Sequence, residues 1–333
     1  MSEAEAPVPP GLVIVIPVHD DWESLAVLSG KLTGALCSPG LSTKIIAVDD
    51  ASRQAGCVAG ATIVRLTRNV GHQRAIAVGL DYALRETQAG LIAVMDADGE
   101  DRPEDLPLLI AALHGSAGQV AVASRRRRSE GTRFKLFYVA YKAAFTVFTG
   151  ERLDFGNFCV IRREAAQRLV GMHELWLNLP GTIMKSRLAI IRVPTDRGRR
   201  YAGRSRMNFV ALVTHGLSAV GVFSERAFTR VLLAIGAAAL LMVGSFAVAL
   251  ALKAAGLATP GWLTTIAASA LIVLVQSAIV ALCGLFVVFG QTANLLHAPS
   301  AVGRLLIAEV EEKGWEECAY PPRPPVERRI EAP

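Results

Sequence analysis

The chain has 333 residues, enough for one or two domains, with 52% hydrophobic residues, a mean hydropathy of +0.39 and a formal net charge of +6. That apolar balance is high for a soluble protein, and five scattered cysteines without CxxC spacing suggest neither a zinc site nor a disulfide framework. Beside the apolar segments described below, the positive charge reads as attraction to anionic lipid and phosphate groups rather than to nucleic acid.

Residues 1–10 are acidic and Pro-rich, with no basic stretch leading into an apolar one, so a disordered N-terminus is expected rather than a secretory signal. From there strand and helix patterns alternate. "LVIVIPV" (12–18), "KIIAVDD" (44–50), "ATIVRL" (61–66), "LIAVMD" (91–96) and "QVAVAS" (119–124) read as buried strands. Residues 22–36 and 72–86 read as helices, the second with Ile76, Leu80, Ala83 and Leu84 at helical spacing, and Pro103 suits the first turn of another. Continuous apolar strands separated by helices predict an α/β fold, a mainly parallel sheet covered on both faces.

Two aromatic and apolar stripes follow. Phe134, Phe137, Tyr138, Tyr141, Phe145 and Phe148 form one; Phe209, Val213, Leu217, Val220 and Phe223 form the other. Each suits core packing or a helix lying in a membrane interface, and nearness to the apolar segments favours the interface for 208–230. Val231 to Leu252 is uncharged, and no Asp, Glu, Lys or Arg occurs between Ala254 and Gly303. A bilayer core needs about 20 apolar residues per helix. Two transmembrane helices are therefore expected within 231–290, at about 231–252 and 263–290. Arg and Lys are dense before Val231 and return at Arg304, Lys313 and Arg323. This predicts both termini and residues 12–230 on the cytoplasmic side, with 291–333 as a cytoplasmic tail.

Ligands of such sheets bind beyond the carboxyl ends of the strands, and both acidic pairs lie there. In "MDADGEDRPEDL" (95–106), five carboxylates fall between Asp96 and Glu104. Asp96 and Asp98, one residue apart on a tight turn, can share a divalent cation with phosphate oxygens, although surface loops carry the same pattern often. A carboxylate of Asp49 or Asp50 can accept from a nucleobase N–H or a ribose hydroxyl; a helix cap or turn is the plainer alternative.

Taken in order, "VIVIPVHDD" (13–21), "AVDDAS" (47–52), "RNVGHQRAIAVGLDYA" (68–83), "MDADGEDRPEDL", "ASRRRR" (123–128), "DFGNFCVIRR" (154–163) and "RRYAGRSRMNF" (199–209) resemble the family 2 glycosyltransferases of GT-A fold. Within them the chain is similar to the polyprenyl-phosphate branch. The resemblance spans about residues 11–290. It implies a GT-A domain at 11–207, interfacial amphipathic helices and two transmembrane helices. The implied activity is inverting transfer of a sugar from a UDP- or GDP-linked donor to polyprenyl phosphate at the cytoplasmic membrane, assisted by Mg2+ or Mn2+. Membrane lipids are implied neighbours, and some relatives assemble as homo-oligomers.

The resemblance also implies roles for particular residues. Pro17, Asp49, Asp50, Asn69, Gly71, His72, Gln73 and Asp96 would border the nucleotide, and Asp96 and Asp98 would hold the metal. Arg125, Arg133, Arg200 and Arg206 would hold phosphates, for which a planar guanidinium fork is suited. Where the family often carries Gly-Asp-Phe, this chain has Gly156-Asn157-Phe158. Asn157 cannot take a proton, so Asp154 or Glu174 is the expected substitute if a base is needed alongside Asp98. A glycan or glycolipid hydroxyl acceptor, and a non-catalytic membrane scaffold, are the alternatives.

Overall fold

The computed structural model describes residues 11–36, 42–54, 56–125, 142–202, 216–257, 261–293 and 297–312. The chain divides into two units: Met1–Thr132 with Leu153–Val222 and Leu296–Pro333, and Arg133–Arg152 with Phe223–Leu295.

The first unit is an α/β domain. In chain order it contains β1 (Leu12–Val18), α1 (Trp22–Ala35), β2 (Thr43–Asp49), β3 (Ala61–Leu66), α2 (His72–Glu86), β4 (Leu91–Val94), α3 (Leu106–His114) and β5 (Val120–Arg125). It continues with β6 (Cys159–Arg162), α4 (Arg163–Val170), α5 (Leu179–Lys185) and β7 (Ile190–Thr195). The expected strands and helices therefore form close to their predicted bounds. The sheet has eight strands in the order β7-β5-β6-β4-β1-β2-β3-β8, the last being Ile307–Glu312. β1 to β4 are mutually parallel, β6 runs antiparallel to β4 and β5, and β8 runs antiparallel to β3.

Side chains alternate between two cores. Val13, Val15, Ile46 and Val48 face α2, whose Ile76 and Leu80 are fully buried; Leu12, Ile14 and Ile16 join the face carrying Leu25 and Leu28 of α1. Each such side chain contributes about 1.5–3 kcal/mol by leaving water. Gly79 lets α2 lie close on the sheet, because a Cβ there would strike Val15 and Val48.

The chain leads from β1 to β2 on one side and later to β4 on the other, so the direction of winding reverses at β1. A crevice opens at such a reversal, beyond the carboxyl ends of the strands. Pro17 fits in this central strand because β4 stops pairing at Val94, opposite Val15, and no partner on that side needs its missing N–H.

The last strand lies within the segment read from sequence only as a tail. Residues 297–312 return to the first unit: Trp176 Nε1 donates to the His297 carbonyl at 2.6 Å, Thr67 N–H donates to the Leu306 carbonyl, and β8 pairs with β3 from Leu66↔Ile307 to Thr62↔Glu312. A short polar strand such as "IAEVEE" carries too little apolar signal to be read alone. Cys57 is disulfide-bonded, which its spacing does not predict.

In the second unit, α6 (Ser224–Ala254) and α7 (Trp262–Ala293) are both longer than the expected spans. Segments of 31 and 23 residues, Ser224–Ala254 and Trp262–Gly284, are long and apolar enough to cross a membrane, and almost none of their surface is buried. Residues 224–230 are the opening turns of α6 rather than a separate amphipathic helix, because the helix runs unbroken through Arg226 and Arg230. Of the two aromatic stripes, Phe145 and Phe223 are buried against each other edge to face with centroids 6.0 Å apart. Those two side chains pack as core, while Phe148 and Leu217 of the same stripes are exposed. The other stripe residues before Lys142, and 208–215, lie outside the described residues.

Candidate active site

The loops that follow β1, β2 and β4 meet at the crevice. Asp49 and Asp50 close β2 and are buried. Asp49 Oδ1 accepts from Ser52 N–H at 2.9 Å, and Oδ2 accepts from Arg65 Nη1 at 2.9 Å. Asp50 Oδ1 accepts from Val70 N–H at 2.6 Å and Oδ2 from Gly71 N–H at 2.9 Å. Both carboxylates thus hold loops in place. Gly71 stands at φ +92, a conformation that favours glycine, and opens α2. Asp20 and Ala51, each at φ 51, are left-handed without being glycine. Ser52 Oγ accepts from Asp20 N–H and Asp20 accepts from Arg53 N–H, so the two turns hold each other in that strained form.

Four residues singled out in the sequence form one chain of contacts. Leu179 N–H donates to Gln73 Oε1 at 2.8 Å, Gln73 Nε2 donates to Asn157 Oδ1 at 3.0 Å, and Asn157 Nδ2 stands 3.0 Å from His72 Nε2. The fixed backbone donor at Leu179 sets both amide orientations. The same His72 nitrogen is 3.2 Å from Asp96 Oδ1. Burial opposes charging His72, but Asp96, Asp101 and Asp98 outweigh it and raise the imidazole above its ordinary 6.5. Asn69 reaches His19, whose Nδ1 lies 2.9 Å from the Asp50 carbonyl.

The acidic turn after β4 is braced from within: Asp96 N–H donates to Asp101 Oδ2 at 3.0 Å, and Glu100 N–H to Asp98 Oδ1 at 2.9 Å. Residues 197–201 run beside it. Tyr201 N–H donates to the Asp98 carbonyl and Gly198 N–H to that of Glu100, both at 2.9 Å, while Arg197 pairs with Glu100 at 2.6 Å. Gly99, at φ +85, could carry no side chain there, since a Cβ would enter the Tyr201 ring. Arg200 Nη1 lies 3.2 Å from Asp98 Oδ2, and its Nη2 is 3.8 Å from Asp21. Burial first, then the charges of Asp96 and Glu100, push the Asp98 carboxyl above its ordinary 3.8, against the pull of Glu100 N–H and Arg200. The turn is short of positive charge, which suits a cation. Among the described residues no three His, Cys, Asp or Glu are grouped to hold a metal alone, so further ligands would have to come from a bound molecule or water.

Asp154 and Glu174 lie elsewhere in the first unit. Asp154 pairs with Arg192 at 2.9 Å, partly exposed. Glu174 is buried between Lys185, at 2.7 Å, and His173, at 3.2 Å. The backbone of Arg125 ends β5; its side chain, Arg133 and Arg206 are outside the described residues. Sequence reasoning missed Arg65, which joins Asp49 to the last strand, and Asp101, whose signal was its place in the acidic run.

Residues 13–170 match the model of Glycosyl transferase family 2. The chain carries a family 2 glycosyltransferase domain. The chain is also 26% identical over 60% of its length to two curated relatives. They are the undecaprenyl-phosphate 4-deoxy-4-formamido-L-arabinose transferases of Enterobacter sp. (strain 638) and Shewanella sediminis (strain HAW-EB3). The match spans 63% and 62% of those relatives, less than two thirds of their length. Among solved structures, the chain is similar to glucosyl-3-phosphoglycerate synthase from Mycobacterium tuberculosis in complex with Mn2+, UDP and phosphoglyceric acid. There it is 16% identical, with 66% of this chain and 78% of that one covered, at a TM-score of 0.47. Mannosyl-3-phosphoglycerate synthase from Rubrobacter xylanophilus is 17% identical, with 65% and 74% covered, at 0.48. The order of strands in the family 2 domain, mainly parallel with antiparallel β6, is the mixed sheet expected of the GT-A fold.

Proposed function

We propose that this protein is a membrane glycosyltransferase that moves a sugar from a UDP- or GDP-linked donor to a polyprenyl phosphate at the cytoplasmic face. The observation that carries the reading is the acidic turn Asp96–Asp98 beside Arg200, in a family 2 domain whose chain runs on into two apolar helices. The names of the curated relatives support a prenyl phosphate as acceptor.

The donor would lie over the ends of β1, β2 and β4, its nucleotide bordered by the loops that Asp49 and Asp50 hold and its diphosphate toward Asp98. A divalent cation, Mg2+ or Mn2+, held by Asp96 and Asp98, would neutralise the diphosphate as it leaves. Arg200, which lies against Asp98, would turn its guanidinium toward the same phosphates, with Arg125, Arg133 and Arg206 as further phosphate ligands. The acceptor phosphate attacks the anomeric carbon as the bond to the diphosphate breaks, with inversion. A phosphate monoester has a second pKa near about 6 and needs no general base at neutral pH. This suits Asn157, which offers a hydrogen bond and no charge. It also leaves Asp154 and Glu174 out of the chemistry, consistent with their ion pairs. Catalysis then rests on positioning and charge stabilisation.

The return of β8 supports an even number of crossings, since the segments before α6 and after α7 belong to one sheet. Purified protein is incubated with labelled UDP- and GDP-sugars and polyprenyl phosphate, then extracted with solvent. Label in the lipid phase, released by mild acid, is expected; label in a water-soluble glycan alone would sink the prenyl-phosphate reading.

A further inference from the structure

Arg65 lies on β3, and its guanidinium is held at three points. Nε donates to Glu311 Oε1 at 2.8 Å, Nη1 to Asp49 Oδ2 at 2.9 Å, and Nη2 to the Gly56 carbonyl at 3.0 Å. The Trp22 ring lies 5.8 Å from the guanidinium, and its Nε1 donates to the Gln54 carbonyl at 3.0 Å. Gly56 packs so tightly on Trp22 that a Cβ would enter the indole. Gln54 and Gly56, after β2, are thereby clamped between Trp22 and Arg65. Glu311 comes from β8, 246 residues further along the chain and beyond both apolar helices.

We infer that Glu311 is a positioning residue for the nucleotide end of the donor site, acting through Arg65 on Asp49 and on the Gly56 backbone. The inference rests on the donor placement proposed above. A guanidinium is planar, so a carboxylate fixing Nε also fixes the directions of both Nη groups. Without it the side chain can turn about its long stem, and the Asp49 and Gly56 contacts lose their alignment. Arg65 is 15% exposed in its side chain and Glu311 22%, so water replaces these bonds only in part. The hydrogen bond and charge of Glu311 also hold the Arg65 proton more tightly than usual, as do those of Asp49.

The neighbouring Glu312 supplies an internal control. It ties the same strand to the sheet through Lys44 Nζ, at 2.6 Å, and Thr62, without touching Arg65. The test uses the full chain in detergent with Mg2+, titrated calorimetrically with UDP and with GDP. Glu311→Gln is expected to weaken the preferred nucleotide about tenfold, and Arg65→Lys at least as much. Glu312→Gln should stay within about twofold of the parent. In turnover, Glu311→Gln should raise the donor KM while kcat and acceptor KM hold. Should Glu311→Gln fail to fold, Glu311→Asp, which keeps the charge one methylene short, is expected to show a smaller loss of the same kind. Parent-like nucleotide affinity in Glu311→Gln, or equal losses in the Glu311 and Glu312 variants, would overturn the inference alone. Failure of the parent protein to bind either nucleotide would overturn the donor placement and this inference with it.

Discussion

Two acidic pairs close strands on either side of β1, and they do different work. Asp49 and Asp50 are buried, and all four of their carboxylate oxygens accept hydrogen bonds from this chain. Asp98 sits among like charges, with a raised carboxyl pKa and Arg200 against it. The first pair builds the walls of the crevice. The second carries negative charge that the protein leaves poorly balanced. In sequence the two look alike; what separates them is that Asp49 and Asp50 are bonded at every carboxylate oxygen, whereas Asp98 lies beside the like charges of Asp96 and Glu100.

The largest effect should come from neutralising the second pair. Asp98→Asn is expected to lower transfer by about a hundred- to thousandfold, the scale of losing one charge-stabilising group in a closed site. Chelation should do the same to the parent protein, and full rates in EDTA would remove the proposed metal role. Asp50→Asn should act on stability instead, costing about 1.5–3 kcal/mol in denaturant melts by weakening charge-assisted bonds to Val70 and Gly71. If Asp50→Asn is folded yet as inactive as Asp98→Asn, the division between the pairs fails.

Arg200→Ala should cut transfer by roughly ten- to a hundredfold, and Arg200→Lys by less, because a lysine keeps the charge but loses the fork. A pH effect of smaller size follows from Asp98. Its folded carboxyl titrates above 3.8, so the folded state is favoured below that value and the advantage is lost as pH rises through the folded pKa. At neutral pH without ligands, Asp98→Asn should therefore melt slightly higher than the parent, and added Mn2+ should stabilise the parent but not the variant. A lower melting point for Asp98→Asn would contradict the charge imbalance. The smallest change in rate is expected for Asp154→Asn, whose pair with Arg192 is half exposed. A loss there as deep as in Asp98→Asn would bring back a general base and a hydroxyl acceptor.

Much of this was legible in the sequence because it depends on local periodicity. β1 to β5, α1 and α2 follow apolar runs and helical spacing, and the crevice follows from their order. The placement of Asp96 and Asp98 at a strand end needs no distant residue. What stayed hidden depends on partners far away in the chain. Nothing near Glu174 announces Lys185 as its mate, and nothing near Arg65 announces Glu311. β6 and β8 are short, and β8 borrows its order from β3 rather than from its own composition. The apolar helices were the easiest elements to find and the hardest to bound, since a helix continues past the apolar stretch that reveals it.

The position of β8 also imposes an order in time. A ribosome delivers the N-terminal segments first, so the edge of β3 emerges long before the strand that covers it. Between the two events the whole α6–α7 hairpin must be made. During that interval β3 presents unpaired backbone groups, the kind of edge on which other chains can pair. Completion of the sheet is therefore a late check on synthesis. A chain cut short between Ala293 and Ile307 keeps both apolar helices and the acidic turn, yet carries an open edge that marks it as unfinished.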